Sequence, residues 1–317
     1  MLPPDHSSVV GVGDDAAVLN APDGRVVATT DVLVEGRHFR RDWSSPQDVG
    51  VKAAAQNLAD VAAMGAAPSA LLVGLAIPAD LAVDWVLGMF RGMVSECGRA
   101  GASIAGGDVT SADSIMLGIT ALGDLAGRRP VTRDGARPGD QLAIAGRLGQ
   151  SAAGFALLRA ENADGNLDPE TADRQAGRRA IGPELAELVA AHLRPQPSYS
   201  AGPAAALAGA TSMIDVSDGL LQDLGHVAAA SGVCVNVHAA DLPVSRALLA
   251  AARLLGADWL EWALAGGEDH ALAATFPAKA ALPAGWIPVG EVRSGSGVTV
   301  DSAPRHSPGG WDHFRKP

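Results

Sequence analysis

Apolar and polar positions fall along the chain in short alternating runs and longer amphipathic stretches, predicting strands interleaved with helices. The stretch Gly11–Asp31 reads as a β-hairpin. An apolar run (Ala16, Ala17, Val18, Leu19) and a β-branched run (Val26, Val27, Thr29, Thr30) flank Asn20–Gly24, which is dense in turn formers. Ser45-Pro46-Gln47-Asp48 predicts a helix start: serine as cap, proline at the first position and an acid three residues on, as in a capping box. That helix runs through Lys52, Gln56, Asn57 and Asp60 to Gly65. Leu71–Ile77 predicts a buried strand. Asp80 is expected to cap a second helix whose apolar face is Trp85, Met89, Met93 and Cys97, ending near Gly101. Ser103–Asp108 reads as a short strand and Gly-rich turn, and Ile115–Leu122 as the next strand, which makes this half ββαβαββ.

Arg133–Asp140 is a polar connector bearing proline and glycine, and the expected boundary divides a domain of residues 1–136 from one of 137–317. Strand Gln141–Ala145 opens the second half. Ala-rich helical segments follow at Ala152–Ala160 and Pro183–Leu193, with the weakly patterned Glu161–Arg179 between them. Strand Ser212–Val216 leads to Ser217-Asp218-Gly219, where Asp218 is expected to cap a helix through Ala230. Strand Cys234–His238, helix Ser245–Leu255 and strand Ala271–Phe276 come next, then strands near Ile287–Val292 and Val298–Val300. No fixed-period repeat emerges. Helix–strand alternation in both halves predicts two α+β or α/β domains.

Composition narrows the function classes. With 48% hydrophobic and 19% charged residues the chain is globular, and a net charge of −11 argues against a nucleic-acid surface. Cys97 and Cys234 form no CxxC and read as buried thiols rather than a disulfide. The first residues show no basic, apolar leader, and the uncharged run from Val61 to Ala79 is broken by Gly65, Pro68, Gly74 and Pro78. A cytoplasmic protein without a membrane span is therefore expected.

Asp14, Asp15, Asp31, Asp60, Asp108, Asp215 and Asp218, with Glu268 as an eighth, each stand beside small residues at the edge of a predicted element. Singly, each reads as a turn former or helix cap. Collectively, without a matching set of nearby Lys or Arg, they point to hard cations, because like charges ~4 Å apart repel by about 4 kcal/mol at an effective dielectric near 20. Carboxylates in number suit Mg²⁺, which takes one or two per ion together with substrate phosphates. The chain has no GxxxxGK[ST], no GxGxxG after a strand, no HExxH and no GxSxG. Gly106-Gly107 and Gly266-Gly267 offer backbone N–H groups to a phosphate. Arg133 reads equally as a phosphate partner or a solvated side chain. His38 alone reads as an ordinary core or surface histidine. Trp311 is either an anchor for the tail or a stacking platform.

The segments GVGDDAAVL, TTDVLVEGRHF, NLADVAAMGA, GGDVT, TRDGARPGD, IDVSDGLLQDLGH, GGEDHAL and the terminal WDHF together resemble the thiamine-monophosphate kinase family, in order and spacing, from Gly11 to Phe314. Single motifs are shared with aminoimidazole ribonucleotide synthetases and selenophosphate synthetases; HF after the TTD strand and the WDHF ending are specific to the kinase. The resemblance implies a two-domain α+β / α/β fold of the aminoimidazole ribonucleotide synthetase type. Its N-terminal domain would bind ATP and Mg²⁺ and pair its sheet across a homodimer, and its C-terminal domain would complete the substrate site. It implies that ATP and several Mg²⁺ are held between the domains. By matching motif, Asp15, Thr29, Thr30, Asp31, Asp60, Asp108, Asp215 and Asp218 would be metal ligands. Gly107, Asp108, Arg133 and Ser217 would touch ATP, and His38, Glu268 and Trp311 would touch thiamine monophosphate.

The implied reaction is ATP-dependent phosphorylation of thiamine monophosphate to thiamine diphosphate, the last step of that cofactor's biosynthesis, by direct in-line transfer. The acceptor phosphate is largely dianionic at neutral pH and needs no general base. Two features depart from the family pattern: only ten residues precede Gly11, and His270 and Ala271 stand where relatives tend to read Tyr and Glu. Two rival readings are another ATP-using member of the superfamily and a non-catalytic nucleotide- or metal-binding protein. The absence of Cys before the GDD motif and of a terminal Cys disfavours selenophosphate synthetase and a hydrogenase-maturation relative. Intact acids in every motif argue against the non-catalytic reading.

Overall fold

Ser45 opens helix α1 (Pro46–Ala63) with the expected capping box: its side chain accepts the Asp48 N–H and the Asp48 carboxylate accepts the Ser45 N–H. The computed structural model describes residues 8–10, 16–163 and 182–305. It divides into two units, Met1–Pro130 and Val131–Pro317.

In the first unit, β1 (Ser8–Val10) pairs antiparallel with β2 (Val18–Leu19). Strand β3 (Val27–Val34), α1, β4 (Ala67–Ile77), α2 (Val83–Ala100), β5 (Ser103–Ser111) and β6 (Met116–Asp124) follow in that order. The sheet runs β3-β6-β4-β5, antiparallel except for the β4–β5 pair. The expected hairpin is therefore absent: Val18–Leu19 pairs with β1, and β3 pairs over its whole length with β6, from Val27↔Gly123 to Val34↔Met116. A two-residue strand cannot compete with an eight-residue ladder of β-branched and apolar cross-strand neighbours.

Helices α1 and α2 cross at glycines; a Cβ on Gly50 would lie 1.9 Å from Met89 O, and one on Gly92 would lie 2.2 Å from Gln47 O. Met89, Met93 and Cys97 are buried on α2, as their spacing predicts, and Gly101 ends that helix in the left-handed conformation. Its N-cap is Ala82 with no side-chain bond, so Asp80 does not cap it. Gly106-Gly107-Asp108 lies within β5 rather than in a turn. A Cβ on Gly107 would sit 2.1 Å from Val73 O, so the glycine permits close approach to β4 rather than a reversal. Strand β4 is also not buried throughout. Leu72 and Gly74 are exposed, and with Val32 and Met116 they mark the sheet face opposite Leu33, Leu71, Val73 and Ile119.

The second unit holds a seven-stranded sheet built from β7 (Gln141–Ala145), β8 (Ser212–Val216), β9 (Cys234–Val237), β10 (Ala271–Phe276), β11 (Trp286–Arg293), β12 (Gly297–Val300) and β13 (Ala303–Pro304). Its order is β13-β12-β9-β11-β7-β10-β8, with only β12–β9 parallel. The helices are α3 (Gln150–Ala163), α4 (Pro183–Leu193), α5 (Ala201–Leu207), α6 (Leu220–Ser231), α7 (Arg246–Leu255) and α8 (Trp259–Ala265). Leu142, Ile144, Ile214, Val216, Leu224, Val235 and Val289 form the centre of one buried cluster between sheet and helices. Residues Val131–Ala136 belong to this unit: Thr132 O accepts the Met213 N–H, Arg133 O accepts the Ser231 hydroxyl, and Val131 and Ala136 are buried. No described helix is long and apolar enough to cross a membrane.

Candidate active site

Alternation along β3 sets the first group. Thr29 and Asp31, half-buried, share the face that carries buried Leu33, whereas Thr30 and Val32 point to the opposite, exposed face. Helix α1 brings Asn57 and Asp60, three residues apart, against that first face. The Thr29 hydroxyl donates to Asp60 Oδ2 at 2.9 Å, and the Asp31 N–H donates to Asn57 Oδ1 at 3.0 Å. Gln56 Nε2 donates to Asp31 Oδ2 at 3.2 Å, and Asn57 is itself fixed by donating to Ala53 O. Thr29, Asp31 and Asp60 are thus gathered. Thr30 is not, since its hydroxyl donates to Ile119 O across the strand pair.

Asp108 is exposed on β5, in register with Gly74, Gly118 and Val32, and so stands on the exposed face with Val32 rather than beside Asp31. Gly107, one residue earlier, is pressed against Val73. His38 is half-buried in the loop after β3, where Nδ1 accepts the Val34 N–H at 3.0 Å, which places its proton on Nε2.

The second group surrounds the end of β8. Asp215 is 5% exposed, and its Oδ2 is buried without a hydrogen-bond donor among the described residues; His270 Nδ1 lies 3.6 Å from it. Asp218 does not cap α6. Instead Asp223, inside the helix, accepts the N–H groups of Asp218 and Gly219, both at 3.1 Å, while Gln222 Nε2 reaches Asp218 Oδ2 at 3.2 Å. Burial, then the neighbouring charges of Asp215 and Asp218, push the Asp223 carboxyl up to about 7. Arg133 is exposed on the connector.

Glu268 and His270 both adopt left-handed backbone, φ 62° and 50°, a conformation that costs bulky L-residues energy and clusters at functional sites. Two bonds stitch this segment to the β8 end: the Glu268 N–H donates to Ser217 O at 2.6 Å and the His270 N–H to Val216 O at 2.9 Å. A Cβ on Gly267 would meet Ser217 O at 2.7 Å, which explains the glycine. Between them Asp269 turns the other way and accepts the N–H groups of Gly149 (2.5 Å) and Ser151 (2.9 Å) at the start of α3. Enclosure pushes its carboxyl up to about 7 against the lowering pull of those donors.

Asp223, Asp269 and His192, which lies 3.8 Å from Glu268 Oε2, escaped the sequence reading. Asp223 carried a local signal, an acid in the first turn of a helix; Asp269 and His192 act on residues far away in the chain. Asp14, Asp15 and Trp311 lie outside the described residues. Among the described residues no three His, Cys, Asp or Glu side chains converge tightly enough to hold a metal. The donor chemistry nevertheless fits a hard dication: Asp31, Asp60 and Thr29 offer only oxygens, and Asp215 Oδ2 is a buried carboxylate oxygen without a hydrogen-bond donor among the described residues.

Residues 13–125 match the family described as AIR synthase related protein, N-terminal domain. The chain is 48% identical, over 98% of its own length and 87% of the relative's, to thiamine-monophosphate kinase of Mycobacterium tuberculosis strain CDC 1551 / Oshkosh. It superposes on the crystal structure of thiamine monophosphate kinase from Aquifex aeolicus with a TM-score of 0.80, at 32% identity and covering 92% of each chain. Against AaThiL complexed with AMPPCP and TMP the TM-score is 0.82, at 33% identity, covering 96% of this chain and 92% of that one. On that similarity the chain belongs to the thiamine-monophosphate kinase family.

Proposed function

We propose that this protein transfers the γ-phosphoryl group of ATP to thiamine monophosphate, making thiamine diphosphate and ADP. The observation that carries the reading is its near full-length similarity to thiamine-monophosphate kinases, one relative of which is complexed with AMPPCP and TMP. The site chemistry agrees with it. Among the described candidates no side chain is placed as a nucleophile, and a phosphate acceptor already is one. What two polyanions require is charge cancellation and alignment.

On this reading Thr29, Asp31 and Asp60, with Asp15, Asp108, Asp215 and Asp218, would hold several Mg²⁺, whereas the Thr30 hydroxyl is turned to the opposite face and bonded to Ile119 O. Such ions would supply neutralisation of the two phosphate groups and Lewis-acid polarisation of the one transferred. The chain's own residues do the positioning. Asn57 and Gln56 fix Asp31, Thr29 fixes Asp60, and Asp223 fixes the backbone of Asp218 and Gly219. Gly107, Arg133 and Ser217 contact ATP; His38, Glu268 and Trp311 contact thiamine monophosphate. The first unit is the ATP, Mg²⁺ and dimerisation domain, and the second completes the substrate site. The exposed apolar side chains of the first sheet's open face, Val32, Leu72 and Met116, support pairing with a second copy. A cytoplasmic location would supply both ATP and Mg²⁺.

The deciding experiment measures ADP release with and without thiamine monophosphate, and identifies the product by chromatography. ADP release that requires thiamine monophosphate and matches thiamine diphosphate one for one is expected. Nucleotide turnover indifferent to thiamine monophosphate, or none at all, would overturn the proposal.

A further inference from the structure

Ser151, His192 and Glu268 come from α3, α4 and the segment before β10, yet their side chains meet. Ser151 is 1% exposed, and its N–H is held by Asp269. Its hydroxyl oxygen lies 3.0 Å from His192 Nδ1, and the same nitrogen lies 3.8 Å from Glu268 Oε2. The His192 ring rests against Phe155, with centroids 5.3 Å apart. Its side chain is 12% exposed, whereas that of Glu268 is 31% exposed. The imidazole is therefore anchored on its inner side and reaches outward to a carboxylate.

Both neighbours address one ring nitrogen. In a nucleophilic triad the hydroxyl and the acid occupy opposite nitrogens, so this arrangement does not activate Ser151. It suits a different task. A carboxylate beside Nδ1 favours the tautomer with its proton there, and an Nδ1–H directed between the Ser151 oxygen and Glu268 restrains a side chain that otherwise has several rotamers. Left-handed backbone at Glu268, pinned by its bond to Ser217, fixes the other end of the same residue.

We propose that His192 is a positioning residue: it aims the Glu268 carboxylate at the cationic thiamine moiety of the acceptor. This rests on the reading that Glu268 binds thiamine monophosphate, and the experiment separates the two ideas. His192→Phe keeps the ring packed on Phe155 and removes Nδ1. His192→Asn restores an N–H near the Nδ1 position. Steady-state kinetics on both, on Glu268→Gln and on the double variant His192→Phe/Glu268→Gln would be measured alongside melting temperatures.

His192→Phe is expected to raise KM for thiamine monophosphate about 2- to 5-fold, the size of a weak electrostatic contact, with kcat and KM for ATP unchanged. His192→Asn should recover much of that loss, and His192→Phe should add nothing in the Glu268→Gln background. An unaffected KM in His192→Phe, beside a raised KM in Glu268→Gln, overturns this proposal alone. An unaffected KM in Glu268→Gln overturns it together with the substrate role of Glu268. Equal damage to both substrates with a lowered melting temperature, or no recovery by asparagine, shows a structural role and also overturns it.

Discussion

Removing the Asp269 carboxylate tests how the GGED segment is held. Its two oxygens accept the N–H groups of Gly149 and Ser151, donors at a helix start that have no intrahelical partner. Asp269→Ala strands both. Each unsatisfied, partly buried N–H costs about 1–2 kcal/mol, so the second unit should lose roughly 2–4 kcal/mol of unfolding free energy. At about 2–4 °C per kcal/mol for a domain of this size, its melting transition should fall by roughly 5–15 °C. Urea unfolding at 25 °C, followed by circular dichroism, measures the loss. A change under ~0.5 kcal/mol, the size of an ordinary surface substitution, would refute the anchoring argument.

The same carboxyl carries a pH signature. Its pKa rises from 3.8 to about 7 on folding, so the fold favours the protonated form. That contribution is fully present below the unfolded value near 3.8 and is lost as pH rises through about 7. Asp269→Asn cannot titrate there. The wild type should therefore lose stability relative to Asp269→Asn between pH 5 and 8. Asp223 shares the sign but is common to both proteins, so the difference in their urea midpoints isolates Asp269. A constant difference across that range would contradict the assignment.

Asp31→Asn and Asp60→Asn should each lower turnover by about 10²–10³ at saturating Mg²⁺, with the unliganded melting temperature held or raised by relief of repulsion; full activity in both would sink the metal reading. Trp311→Ala should raise KM for thiamine monophosphate about 5- to 30-fold, the size of a desolvated cation–π contact, and leave KM for ATP unchanged. If it weakens both substrates and the melting temperature together, Trp311 is an anchor. Leu72→Glu, on the open face of the first sheet, should shift the protein from dimer to monomer in analytical ultracentrifugation, and an unchanged sedimentation coefficient would rule out pairing through that face.

Local signals carried well from sequence to structure. The capping box at Ser45 and Asp48 sits where its spacing predicts, and β7, β8, β10 and α4 have the expected bounds because turn residues and apolar runs delimit them on both sides. Non-local choices did not carry. Nothing near Val26–Thr30 announces that its partner is Met116–Asp124 rather than Ala16–Leu19, since pairing is decided by the length and quality of the ladder. Asp218 beside a glycine at a helix start has the composition of a cap, but the capping carboxylate is Asp223. The contact of Asp269 with Gly149 spans 120 residues, and no window of sequence contains it. Asp31 and Asp60 were found as residue types and Thr29 only through the family resemblance; their gathering required β3 and α1 to be laid face to face.

Strand β3 presents Thr29, Asp31 and Leu33 to one side and Thr30 and Val32 to the other, with no bulge recorded along its pairing with β6. Its vulnerability is thus to length more than to composition. Deleting Ala28, or inserting one residue beside it, would keep every functional amino acid in the chain yet reverse the facing of the residues on one side of the change relative to the other. Point substitutions at Ala28 or Val32 should be tolerated far better than such a frame change in this strand. In a library of insertions and deletions the strand should stand out as a continuous intolerant block, while the loop at Asn20–Gly24 just before it accepts changes in length.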